Sequence, residues 1–98
     1  MSRVSAVIAV IQIECFLPYS DSLKGKRRIV KSITQKIQAK FNAAVAEIDY
    51  LDKWQRAGIG IALIGNDHTH LNRVISTIEH FFREVHDIEL TVFTVDWR

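Results

Sequence analysis

The apolar residues of this chain switch between strand-like and helix-like spacing four times, and that order of switches is what most restricts its fold. Val4 to Cys15 is almost continuously apolar and rich in Val and Ile. It is too short to span a bilayer, so it reads as a central strand of the kind covered on both faces. Phe16 to Asp21 interrupts it, with Pro18 as the break. Ser22 or Asp21 then caps a helix from about Leu23 to Phe41, with Leu23, Val30, Ile33, Ile37 and Phe41 as its stripe. Ala43 to Tyr50 returns to strand, Leu51 to Gln55 is a turn, and Arg56 to Ile64 is a third strand. After Gly65-Asn66-Asp67, a second helix is marked by Leu71, Val74, Ile75, Ile78, Phe82 and Val85, and Ile88 to Trp97 alternates as a last strand.

This β-α-β-β-α-β order predicts the ferredoxin-like α+β arrangement, a four-stranded antiparallel sheet with two helices on one face. Ninety-eight residues leave no room for a second core, so residues 1–98 form one domain. Right-handed crossovers put the first and third strands at the centre. The first helix then starts at the end of the sheet where the hairpin between the second and third strands turns. On the first strand, Ile8, Val10, Gln12 and Glu14 are expected on the uncovered face.

Charge is distributed unevenly. Between Ser22 and Ala46 stand seven bases (Lys24, Lys26, Arg27, Arg28, Lys31, Lys36 and Lys40) and no acid, while the rest of the chain has six bases and eleven acids. A basic helix on an otherwise acidic body suits an anionic partner, though a solvated helix face has the same composition. Lys24, Arg27, Arg28 and Lys31 follow one another at i, i+3, i+4 and i+7, beside a helix N-terminus that itself favours anions. Lys26 is the exception. Its angular position lies under the apolar stripe, where it must either snorkel or meet a partner, and a carboxylate of Glu47 or Asp49 is the expected one.

The hairpin is the second unusual segment. Glu47, Asp49 and Asp52 cluster with Trp54, Gln55 and Arg56 around a tight turn, where Tyr50 and Trp54 are hard to bury. The aromatics are suited to stacking on bases or docking on a protein. The acids suit ion pairing with Lys26, Arg27 or Arg56 better than acid–base work. His68, His70, His80 and His86 have no metal-ligand spacing, and Cys15 has no adjacent base to activate it. Neither central strand has the aromatics with which RNA-recognition domains of this topology stack bases. A lone cysteine and the lack of a long apolar segment or a leader pattern lead to the expectation of a cytoplasmic protein with no membrane attachment.

Several of these motifs also carry a family resemblance. Leu17-Pro18 follows an apolar strand, and Ser22-Leu23-Lys24 leads into Lys26-Arg27. Phe41-Asn42 ends the helix, Ala46-Glu47-Ile48-Asp49 follows, and Asp52 precedes Trp54-Gln55-Arg56-Ala57. In this order, from about Val4 to Gly60, the chain resembles the YlxP-like family, small bacterial proteins of uncharacterised function. The resemblance implies a ferredoxin-like fold and no established reaction, cofactor or catalytic residue. Members are commonly encoded near translation and ribosome-maturation genes, which implies a setting around RNA or the ribosome. The resulting expectation is a non-catalytic, cofactor-free binding protein, associated with RNA or the ribosome, working through Lys24, Lys26, Arg27, Arg28 and Lys31 and the adjacent hairpin. The alternative is a small enzyme or binding protein for an anionic metabolite at the N-terminus of the first helix. An apolar uncovered sheet face leads to the further expectation of a homodimer.

Overall fold

The computed structural model describes residues 5–98, so Val4, the expected start of the first strand, lies outside the described residues. The elements follow in the expected order: β1 (Val7–Phe16), α1 (Leu23–Lys40), β2 (Ala43–Asp49), β3 (Arg56–Gly65), α2 (His68–Glu84) and β4 (Glu89–Trp97). The four strands form one sheet in the order β2-β3-β1-β4, and every neighbouring pair is antiparallel. This is the ferredoxin-like α+β fold.

The caps explain where the helices begin. Ser22 has extended backbone and its Oγ accepts the Gly25 N–H at 3.0 Å, while Asp67 Oδ1 accepts the Thr69 N–H at 2.9 Å. The helix α2 thus starts at His68, a turn before the first residue of its apolar stripe. Each helix then buries its stripe on the same face of the sheet. Val30, Ile33 and Ile37 of α1 and Leu71, Ile75, Ile78 and Phe82 of α2 close over Ala9, Ile11, Ile13 and Cys15 of β1 and Ile59, Ile61 and Leu63 of β3.

The opposite face is uncovered. The near-continuous apolar run of β1 led us to expect a strand covered on both faces, but its residues alternate between buried Ala9, Ile11 and Ile13 and more accessible Ile8, Val10 and Gln12. Ile64 and Ile48 stand exposed on this face, with Ala44, Ala46, Gly60 and Ala62 forming a smooth floor between the strands. Small side chains here let Ile48 lie across Gly60, where an added methyl group would come within 3.2 Å of it.

Two irregularities shape the end of the sheet that bears the hairpin. The β2–β3 register shifts between Glu47 and Asp49, and the β1–β4 register shifts between Glu14 and Cys15. Beyond β1, the Leu17 N–H donates to the Gln55 carbonyl at 2.9 Å, so the segment after β1 is tied to the base of the hairpin. Among the described residues, no helix is long and apolar enough to cross a membrane.

Candidate functional site

A lysine with no solvent exposure organises the end of the molecule at which α1 begins. Lys26 lies one turn inside α1, on the side that faces β2 and β3. Its stem fills space beneath the sheet, and its Nζ reaches the point where the β2–β3 hairpin turns. There the ammonium donates to Glu47 Oε2 at 2.8 Å and to the Tyr50 carbonyl at 2.7 Å. The Arg56 and Leu51 carbonyls stand at 3.3 and 3.4 Å. A buried charge persists only when paired and hydrogen-bonded, and Lys26 has both kinds of partner. The expected pairing with Glu47 is therefore present. The same geometry corrects the place of Lys26 in the anion-binding set: with its side chain enclosed and its protons engaged, it offers nothing to an external anion. Glu47, bound beneath the hairpin, is likewise a structural partner rather than part of the outer surface.

The remaining bases of α1 are disposed quite differently. Lys24, Arg27, Arg28, Lys31, Lys36 and Lys40 are all exposed. Among the described residues, none of these six forms an ion pair with a carboxylate. Lys24 to Lys31 spans two turns, about 10 Å along the helix axis. Arg27 and Lys31 also overhang a trough between α1 and the outer strand β2, whose other wall is Val45, Ala46 and Glu47. Over the first turn of α1, Ser22 Oγ accepts the Gly25 N–H and the Ser22 carbonyl accepts from the Lys26 N–H at 3.1 Å.

The hairpin tip is built tightly. Tyr50 takes φ 58°, unusual for a bulky residue, and Asp49 Oδ1 accepts its N–H at 2.8 Å. The Lys53 N–H donates to the Tyr50 carbonyl at 3.0 Å, closing the turn. Arg56 lies over the Tyr50 ring, its guanidinium carbon 3.9 Å from the centroid, and one of its N–H groups donates to the Tyr50 hydroxyl at 2.8 Å. Glu14, on β1, brings a carboxylate oxygen to 3.4 Å from the Arg56 guanidinium. A hydrogen bond to Glu14 raises the pKa of the Tyr50 hydroxyl, desolvation and the nearby carboxylates add to this, and the Arg56 charge opposes it.

Beside this pair is an open hollow of about 490 Å³, lined by Phe16, Asp52, Lys53, Trp54, Gln55 and Arg56. Trp54 is 55% exposed, and neighbouring Leu51 and Tyr19 also face solvent. Asp49 and Asp52 are exposed, and among the described residues neither forms an ion pair. Arg56 therefore meets Glu14 instead of the hairpin acids that the sequence suggested.

Sequence reasoning brought together the right segments and missed two residues, Glu14 and Phe16. Both lie on the uncovered face of β1, and Phe16 pairs directly with Arg56 across the β1–β3 ladder. The alternation already put Glu14 on that face, but its meeting with Arg56, and that of Phe16, becomes legible only once the antiparallel register is known.

Cys15 is buried, and desolvation pushes its thiol up to about 12, far from a reactive thiolate. Among the described residues, no three of His, Cys, Asp and Glu converge as a metal site. All four histidines are exposed; His68 packs against the Trp97 ring and His86 stacks on Tyr19. The end of the molecule thus combines an unneutralised basic helix face with a rigid aromatic hairpin.

Both segments fall within the part of the chain that matches a known family. A family model described as "Protein of unknown function (DUF503)" matches residues 8–95. The chain is also 32% identical over 91 residues to a Bacillus subtilis (strain 168) protein named "Uncharacterized protein YlxP", covering 93% of this chain and 99% of that protein. A family model that matches from the first strand to the last, and a relative matched over nearly its whole length, mean that the chain belongs to the DUF503 family.

Proposed function

We propose that this protein is a non-catalytic RNA-binding protein of the cytoplasm, acting on the ribosome or on ribosomal RNA during its maturation. One observation carries the reading: six exposed bases on α1, none of them ion-paired among the described residues. A helix face evolved only for solubility commonly mixes acids with bases at i, i+4 spacing, as α2 does with Arg83 and Glu79 at 2.8 Å. The basic face of α1 has no such internal neutralisation, so its charge is available to phosphates. The hairpin stands at the same end and supplies aromatic and polar contacts. The metabolite alternative has less support, since the α1 N-terminus is capped by Ser22 and the hollow lies at the hairpin instead.

The triple variant Arg27→Glu, Arg28→Glu, Lys31→Glu tests this reading. All three side chains are exposed, so the fold is retained, as circular dichroism will register. Binding of the wild-type protein to purified ribosomal RNA is expected to weaken steeply with salt. Each neutralised phosphate contributes roughly 0.7–0.9 to the slope of log affinity against log salt. The triple variant is expected to bind undetectably at the same ionic strength. Equal binding by wild type and variant would refute a role for α1.

The uncovered sheet face supports self-association of the same molecule. Ile48 and Ile64, 51% and 60% exposed, stand at the two ends of a shallow floor of Ala and Gly. Knobs at the ends of a hollow can interlock with a twofold-related copy, and isologous pairing is the commonest way to cover such a face. Light scattering across a dilution series is expected to give about twice the 11.3 kDa chain mass, falling to the monomer for Ile48→Lys with Ile64→Lys. A wild-type mass that stays at one chain throughout overturns the pairing.

A further inference from the structure

We propose that the hollow between Phe16 and Trp54 takes one unpaired nucleotide, so that the protein prefers single-stranded to duplex RNA; this rests on the RNA reading above. The size is appropriate, since about 490 Å³ of open space accommodates a base with its ribose. The chemistry is appropriate as well. Phe16 and Trp54 supply flat apolar surface, and Trp54 remains 55% exposed. Every base has a π-face, so an indole held in this way stacks on any of them. Lys53 brings positive charge to the rim for the flanking phosphate, Arg56 is engaged by Tyr50 and Glu14 and serves as a fixed wall, and Gln55 and Asp52 offer donors and acceptors to a base edge.

Part of the rim is already held in place. Arg56 is held by the Tyr50 ring at 3.9 Å and by the Tyr50 hydroxyl at 2.8 Å. The Gln55 carbonyl is fixed by the Leu17 N–H, and the Lys26 ammonium holds the Tyr50 carbonyl from beneath. A nucleotide entering here meets groups that are already ordered, which lowers the entropic cost of binding. This mode differs from stacking on the middle of the sheet, where β1 and β3 present Val10, Gln12, Gly60 and Ala62 and no aromatic ring. A base inside a duplex is stacked on its neighbours and cannot enter, so selection for unpaired strands follows from the shape alone.

The experiment uses a short dye-labelled RNA of mixed sequence, alone and annealed to its complement, titrated with the full chain and followed by anisotropy. In a Trp97→Phe background, the remaining indole emission reports on Trp54. The single strand is expected to bind at least about tenfold more tightly than the duplex and to quench the emission. Trp54→Ala is expected to cost about tenfold in affinity for the single strand only, the worth of one base stacked on an aromatic ring. Trp54→Phe is expected to retain most of the affinity. Equal affinity for single strand and duplex, or full affinity in Trp54→Ala with binding still abolished by the α1 triple variant, would overturn the nucleotide site and leave the RNA reading standing. Absence of binding to either RNA by the wild-type chain would overturn both.

Discussion

Replacing Lys26 with methionine is expected to lower the free energy of unfolding by about 3–5 kcal/mol, the usual cost of removing one partner from a buried ion pair. Methionine retains most of the stem volume, so the loss is mainly polar. It leaves Glu47 and the Tyr50, Leu51 and Arg56 carbonyls without their donor. A domain of this size has roughly 5–15 kcal/mol in total, so the variant is expected to unfold at far lower urea concentration. Glu47→Gln is expected to cost less. The Glu47 side chain is 17% exposed and part of its hydration is retained on folding, whereas Lys26 is 0% exposed and has no route to water. The double variant should be less destabilised than the sum of the singles, because each single substitution strands the other group. Urea denaturation of the four proteins in this cycle provides the measurement, and strictly additive losses would show that the two side chains do not act as a pair.

Gly58→Ala is the second substitution expected to be severe. The bulge in β2 brings Asp49 against Gly58, so that an added Cβ would lie 2.6 Å from the Asp49 Cβ and 3.2 Å from its Cα and N. Two of these three atoms are backbone and cannot rotate away. Forcing a methyl group into such a place costs about 1–3 kcal/mol, and here it also displaces the hairpin that Lys26 holds. Gly65→Ala is the appropriate comparison. Its nearest contacts are 3.4–3.8 Å to the Leu71 side chain, ordinary packing distances, and it is expected to be nearly neutral. Adding Asp49→Gly to Gly58→Ala removes the shortest contact and should restore part of the loss. Thermal melts of these three variants beside the wild type rank the effects, and a Gly58→Ala melt indistinguishable from Gly65→Ala would mean that the bulge yields.

Much of this architecture was legible in the sequence because it depends on period and punctuation. The stripe of α2 and the Ser22 cap are local patterns, and they specify helices whatever packs on them. Lys26 was legible for a different reason: a base under an apolar stripe conflicts with burial, and conflict of that kind requires a partner nearby. What stayed hidden depends on register. The bulge at Ile48 sets which hairpin acid reaches inward, and no propensity encodes it. Arg56 was therefore matched with the acids beside it in sequence, when its neighbours are Tyr50 and, across the ladder, Glu14. The hollow beside Trp54 was illegible because Phe16 comes to it from a different strand. Tyr50 at φ 58° was equally unreadable, since nothing local favours a tyrosine there.

The outer strand β2 carries no charge and no proline between Ala43 and Ala46, so its guards against recruiting another strand, the bulge and the exposed Asp49, are confined to its far end. The bases of α1 overhang that edge, with Arg27 and Lys31 above Val45 and Ala46. Two copies meeting edge to edge would bring two such helices side by side, positive charge against positive charge. Repulsion between them would act at a distance as a lysine within the strand would act on contact, against propagation of the sheet into a ribbon. High salt shortens the range of that repulsion, so colloidal stability of this protein should decline as ionic strength rises. The helix proposed above to meet RNA would, in the bare protein, also hold its copies apart at this edge.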